Sequence, residues 1–195
     1  MSVKLIADSG STKTEWCLLS GGKKKKINTQ GLSPYFLSGN QMKEIIKKEL
    51  ISKIKNAAPD EIFFYGTGCS NPANVKIVKD ALKSVFTGSK IMVDHDLMGA
   101  AKSLCGNKKG IACILGTGSN SCFYNGKKIV KNSPGLGYVL GDEGSGAYLG
   151  KKVIQYFLYN TFEPELMDRF RAKFNTNVNE ILDAVYKQPL PNRYM

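Results

Sequence analysis

Asp8-Ser9-Gly10-Ser11-Thr12-Lys13-Thr14 is the stretch on which the fold turns. An apolar run, Val3 to Ala7 with one Lys, precedes it, and another, Glu15 to Leu19, follows. Both are rich in strand-favouring or apolar residues, so the loop reads as the turn of a hairpin. A P-loop or dinucleotide fingerprint needs a helix straight after its glycines, so that the helix N-terminus can hold phosphate. Here a strand follows, and neither fingerprint is present. A turn of small residues still presents several N–H groups to an anion. An Asp at its start can hold Mg²⁺ through water. A polar hairpin turn with an incidental Asp is the bland alternative.

Working outward, residues 3–8, 14–20 and 25–30 read as three short strands in a meander, with Lys23–Lys26 at a hairpin tip. Gly31-Leu32-Ser33-Pro34 breaks the pattern. Residues 40–56 carry Met42, Ile45, Ile46, Leu50, Ile51 and Ile54 at helical spacing. Glu61 to Tyr65 is a buried-looking strand, ended by Gly66-Thr67-Gly68. Asn71 then caps a second helix with Pro72 at its first position. Residues 91–93 form a strand and 96–105 a short helix. This order predicts a mixed sheet covered by helices.

Residues 107–110 look like a boundary, beyond which the opening pattern recurs. Strands at 110–115, 120–124 and 127–130 are joined by Gly116-Thr117-Gly118-Ser119 and by a two-residue Asn125-Gly126 turn. Two such meanders predict two lobes on one plan, 1–108 and 109–195. Gly135 to Gly146 is a glycine-crowded loop closing on Asp142 and Glu143. A helix over 145–161 follows, with Tyr148, Leu149, Val153, Phe157 and Leu158 as its buried side. Further amphipathic helices span 163–174 and 178–186.

The 195 residues carry 28 basic and 16 acidic side chains, a net charge of +12. The lysines cluster at 23–26 and 43–55 without the interleaved aromatics of a single-strand-binding surface. They read as solvated surface, and no nucleic-acid partner is expected. No apolar run reaches about 18 residues, so no membrane span is expected. The chain enters a strand directly, with no signal-peptide pattern, and a cytoplasmic location is expected. The cysteines (Cys17, Cys69, Cys105, Cys113, Cys122) are scattered and show no CxxC spacing. They read as reduced core thiols.

If the two halves face each other, Asp8–Thr14 and Gly116–Ser119 can clamp one polyphosphate, their N–H groups stabilising a transferring phosphoryl group. At this point the sequence resembles a known family. DSGSTKT, VDHD before Met98-Gly99-Ala100, ILGTGSNS and GLGYVLGDEGSGAYLG together look like the N-acetylglucosamine kinase group. That group belongs to the BadF/BadG/BcrA/BcrD ATPase-like family, in the superfamily of actin, hexokinase and the heat-shock chaperone ATPases. The resemblance runs from Asp8 to about Arg193.

The resemblance implies an α/β, ribonuclease H-like (actin-like ATPase) fold of two similar lobes, the second one cut short. It implies phosphoryl transfer from ATP-Mg²⁺ to an amino-sugar hydroxyl, the 6-hydroxyl of N-acetylglucosamine or a relative, and leaves room for a homodimer. On this chain Asp8 would order Mg²⁺. Ser9, Gly10, Ser11, Thr12 and Lys13, with Gly116, Thr117 and Gly118, would contact phosphates. Asp96 matches the general base. Ser119, Asn120, Gly135, Gly137 and Asp142 match sugar-contacting positions. Each has a blander reading. Asp96 can be an N-cap, with Asp94 its rival as base. Glu143 can complement a helix N-terminus, Lys13 can be an exposed charge, and His95 reads as structural.

Two departures stand out. Mammalian-type members of the family have an Asn-His pair after the GLS-like segment that touches the sugar, whereas here Pro34 is followed by Tyr35-Phe36. Relatives are also longer, and the PLPNRYM ending reads as the middle of a domain. Weak nucleotide binding and slow turnover are therefore expected of this chain alone. Two alternatives share the scaffold: an ATPase activator of acyl-CoA dehydratases, whose iron–sulfur cluster would need cysteines of suitable spacing, and a non-catalytic sugar sensor.

Overall fold

The computed structural model describes residues 2–55, 57–133, 135–189 and 191–195. The chain divides into two compact units, 1–107 and 108–195.

Unit 1 is built on the meander β1 (Lys4–Ser9), β2 (Lys13–Ser20) and β3 (Lys23–Gln30). Two strands, β4 (Glu61–Gly66) and β5 (Lys90–His95), add in parallel beside β1, giving the order β3-β2-β1-β4-β5. The parallel strands need crossovers, and helices supply them. α1 (Gly39–Ile45) runs on into a π-helical stretch, Ile46–Ile51, before β4. α2 (Pro72–Lys83) links β4 to β5, and α3 (Asp96–Cys105) follows β5. Side chains alternate across the strands. Leu5, Ala7, Trp16, Ile62, Phe64 and Ile91 are buried in one cluster with Met42, Ile46 and Leu50 and with Val78 and Leu82 of α2. The buried Trp16 indole N–H donates to Thr29 Oγ1 at 2.9 Å, so its polar atom is satisfied within the core.

The lysines at 23–26 belong to β3 itself, not to the hairpin tip. They stand exposed on an edge strand, where charge discourages further pairing. The first helix begins at Gly39, held by a capping box between Ser38 and Gln41. Its expected end at Asn56 lies outside the described residues. Asn71 and Pro72 cap and open α2 as their residue types dictate.

Unit 2 repeats the meander with β6 (Lys109–Leu115), β7 (Ser119–Asn125) and β8 (Ile129–Ser133), order β6-β7-β8. The third strand starts later than residue 127. The Asn125 side chain accepts hydrogen bonds from the N–H groups of Lys127 and Lys128, which draws both into the turn. Instead of parallel strands, helices follow: α4 (Gly137–Leu140), α5 (Gly146–Leu158), α6 (Pro164–Phe174), α7 (Val178–Tyr186) and α8 (Pro191–Tyr194). α4 is a single turn inside a segment expected to be loop. In α5, Ala147 is buried but Leu149 and Val153 are exposed, against the expected buried side. An apolar stripe marks the face fit for burial; among the described residues little packs on this part of it. Among the described residues no disulfide joins the cysteines; Cys69 and Cys122 are buried, but Cys113 is exposed, not a core thiol.

Candidate active site

At the carboxyl ends of β1, β4 and β5 several loops converge. β1 stops at Ser9 because its hydroxyl is used there. Ser9 Oγ bonds Thr14 Oγ1 at 2.7 Å and accepts the Leu32 N–H at 3.1 Å, and both hydroxyl residues are buried. Gly10 N–H donates to the Lys13 carbonyl and Gly31 N–H to the Thr12 carbonyl. The Asp8–Thr14 loop is thereby closed on its own backbone and on the Gly31–Ser33 segment. A Cβ on Gly31 would stand 2.5 Å from the Gly10 carbonyl oxygen, so only glycine fits this crossing. Thr67 N–H donates to the Ser9 carbonyl at 2.9 Å, tying the end of β4 to the same loop.

The sheet register sets Asp8 opposite Glu15 on one side and Tyr65 on the other, and Tyr65 opposite Asp94. Asp8 therefore shares a face with other carboxylates. Asp8 is exposed to solvent, yet partial desolvation by the surrounding loops raises its carboxyl above its ordinary value, and the charges of Asp96 and Glu15 push the same way, while Lys13 pulls down. Asp96 is half-buried, and its Oδ1 accepts the Leu97 N–H at 2.8 Å. It occupies the first helical position of α3, and His95 is the N-cap residue, without a side-chain cap bond. Asp94 stays in β5, its Oδ1 accepting the His95 N–H. The two rival carboxylates therefore sit on different elements. Lys13 is exposed.

Loop 66–71 belongs to this cluster too. Burial, together with Asp96 and Asp94, raises the Cys69 thiol to about 12, so it stays neutral. Lys102 Nζ lies 3.3 Å from Tyr65 Oη on the same side. In the sequence Gly66-Thr67-Gly68 reads only as a strand end. The available signal was its identity to the tripeptide at 116–118. Among the described residues no group of three or more Asp, Glu, His and Cys stands ready to enclose a metal. A lone, partly desolvated Asp among negative neighbours suits Mg²⁺, which commonly takes one or two carboxylates and completes its shell with water and phosphate.

Unit 2 gathers the other expected residues. Gly116 N–H donates to the Gly118 carbonyl, and the first N–H groups of α5, from Gly146 and Ala147, donate to the carbonyls of Gly116 and Thr117. The Asp142 carboxylate lies against Gly118, where a Cβ would come within 2.8 Å of it. Asp142 holds a left-handed backbone, and Ser145 caps α5. Ser119 Oγ donates to the Glu143 carbonyl, and Gly135 lies beside the Asn120 amide. Gly116–Asn120, Gly135 and Asp142 thus form one cluster. Gly137 opens α4, and its open side has no neighbour within 4 Å.

No family model matches the chain. A structure described as a "Putative N-acetylglucosamine Kinase" from Porphyromonas gingivalis is 40% identical over all of this chain and 69% of that one, with a TM-score of 0.93. This chain belongs to the N-acetylglucosamine kinase-like family. A second structure, titled a putative N-acetylglucosamine kinase, from Chromobacterium violaceum, is 20% identical with a TM-score of 0.68 over 100% of this chain and 67% of that one, and shows the shared fold. The curated N-acetylmuramic acid/N-acetylglucosamine kinase of Clostridium acetobutylicum is 33% identical over 128 residues, 62% of this chain. That match spans only 41% of the curated relative's length. The N-acetylglucosamine kinase-like chain thus has the α/β, actin-like ATPase fold. No helix among its described residues is long and apolar enough to cross a membrane.

Proposed function

We propose that this chain carries the catalytic half-site of an ATP- and Mg²⁺-dependent amino-sugar kinase, acting on the 6-hydroxyl of N-acetylglucosamine or a close N-acetylated relative. The observation that carries the reading is the pairing of Asp8 and Asp96 at the carboxyl edge of one sheet, in a chain 40% identical to a protein titled as such a kinase. Mg²⁺, when bound, neutralises charge on the transferring phosphoryl group. Asp8 orders the water around it. Asp96, at the start of α3, accepts the proton of the attacking hydroxyl. The Ser9–Lys13 and Gly116–Gly118 loops contact phosphate oxygens through groups other than the Gly10 and Gly116 N–H, which already donate within their own loops. Ser119, Asn120, Gly135, Gly137 and Asp142 contact the sugar. The name of the curated relative adds N-acetylmuramic acid as a candidate acceptor.

A panel of glucose, glucosamine, N-acetylglucosamine and N-acetylmuramic acid with ATP-Mg²⁺, scored for sugar phosphate, tests the reading. Transfer confined to the N-acetylated sugars is expected; transfer to none of them, or equally to all, overturns it. Asp96→Asn should lower phosphoryl transfer by about 10²–10⁴-fold while sugar binding, measured by calorimetry, stays largely intact.

A further inference from the structure

Away from Asp8 and Asp96, unit 1 carries a hollow of about 400 Å³ between the end of β3 and α1. Its walls are Gln30, Leu37, Asn40, Gln41, Glu44 and Ile45. Small-molecule sites occupy roughly 300–1,000 Å³, so this volume suits one compact ligand the size of a sugar ring. The hollow borders the Asp8–Thr14 loop, because Gln30 stands opposite Lys13 in the register of β2 and β3. None of the residues placed in the proposed kinase chemistry lines it.

Bonds around the hollow fix its shape. The Gln30 N–H donates to Glu49 Oε2 at 2.8 Å, tying the strand end to the π-helical stretch. Gln41 Oε1 accepts the Ser38 N–H at 2.8 Å and the Ser38 hydroxyl at 3.0 Å, which leaves the Gln41 NH₂ group to donate elsewhere. Leu37 and Ile45 are partly buried against the core and supply an apolar floor. Among the described residues nothing bonds the side-chain amides of Gln30 and Asn40. Glu44 meets Lys47 at 3.7 Å, an exposed pair that contributes little. The lining thus sets amide groups and one carboxylate over two apolar side chains. An amide donates and accepts, as a sugar hydroxyl does, and apolar side chains suit the C–H face of a pyranose. No lining residue is basic, in a chain with 28 basic residues, and the single charge is negative. A neutral, polyhydroxylated ligand is therefore favoured over a phosphate or a carboxylate.

We propose that this hollow is a second sugar subsite, which takes one ring of a neutral saccharide and is separate from the acceptor position of the kinase reading. Ring hydroxyls bond the Gln30 and Asn40 amides, Glu44 accepts from a further hydroxyl, and Leu37 with Ile45 takes the C–H face. The probes are N-acetylglucosamine and glucose, each titrated without ATP to about 50 mM into the isotope-labelled chain, because so open a site binds at about millimolar strength. The side-chain amide NMR signals of Gln30, Asn40 and Gln41 should shift saturably. Glucose 6-phosphate should shift them far less, because Glu44 repels the anion. Asn40→Ala and Glu44→Ala, both at exposed positions, should each weaken the neutral sugars by about fivefold, the worth of one hydrogen bond. Shifts that stay linear and match those from glycerol at equal concentration overturn the proposal, as do equal shifts with the phosphate ester. Shifts confined to residues 8–13 and 94–97 also overturn it, and leave the acceptor reading standing. Saturable shifts in the hollow uphold it even in a chain that transfers no phosphate, so the two readings fail separately.

Discussion

Unit 1 follows its meander with two parallel strands, and unit 2 follows the same meander with helices. The consequence shows in burial. In unit 1 Trp16, Phe64, Ile62 and Leu82 are closed off between the sheet and its helices. In unit 2 the buried apolar residues among those described are Ala112, Cys122, Tyr124, Ala147, Met167 and Ile181, mostly small or single contributions from separate elements. Leu136, Val139, Leu140, Tyr159 and Tyr186 stand exposed. Both units contain apolar residues in regular patterns. What differs is the number of layers available to bury them, so sheet completion, more than composition, decides where stability resides.

The largest test of that contrast is Trp16→Ala. It empties the centre of unit 1 and leaves Thr29 Oγ1 without its donor, and should cost about 3–5 kcal/mol in denaturant unfolding. A loss under about 1 kcal/mol would mean the core of unit 1 is no firmer than the surface of unit 2.

Ser9→Ala should cost about 1–3 kcal/mol, because the Leu32 N–H and the Thr14 hydroxyl lose a buried partner. Since that hydroxyl also fixes the loop proposed to hold phosphate, the same variant should raise the KM for ATP. Stability lost with KM unchanged would separate the loop's packing from its binding role.

Asp8→Asn acts in the other direction. The folded chain raises the Asp8 carboxyl above its ordinary value of 3.8, so the native state holds the proton more tightly than the unfolded state. Stability is therefore lost as pH rises from that value through the raised one. Because Asp8 is exposed and solvent screens its neighbours' charges, the Asn variant should be only slightly more stable than the parent at neutral pH, with the difference closing in acid, as read from melting curves across pH. A parent more stable than the variant at pH 7 would contradict the raised carboxyl assigned to Asp8.

The smallest effect is expected in unit 2. Leu115→Ser, on the open face of β6, should change stability by no more than about 0.5 kcal/mol, measured on the chain alone. A larger loss would show that this face is already covered in solution.

Much of the fold could be read locally. The hairpin at Asp8–Thr14, the Asn71-Pro72 start of α2 and the repeat at Gly110 depend on neighbours in sequence, and residue types carry that information. The late start of β8 was missed because the Asn125 side chain, not backbone propensity, sets the length of that turn. The exposed side of α5 was missed because periodicity orients a helix without supplying its cover. The candidate site was legible as motifs only. That Asp8, Asp94 and loop 66–71 meet depends on two parallel registers, β1 with β4 and β4 with β5, across crossovers of tens of residues. No local pattern encodes those registers.

The row Lys23-Lys24-Lys25-Lys26 on β3 has a consequence for solution conditions. Lysines two apart on a strand face the same way, about 7 Å from each other, which is inside the screening length of about 10 Å at 0.1 M salt. Lys26 finds Glu15 at 2.9 Å, and Lys25 donates to the Lys53 carbonyl, but the row remains mutually repulsive. Dissolved ions relieve that repulsion. Ionic strength therefore acts as a dial on how firmly the outermost strand of the first sheet lies down, and low-salt buffer should loosen it while leaving the interior around Trp16 untouched.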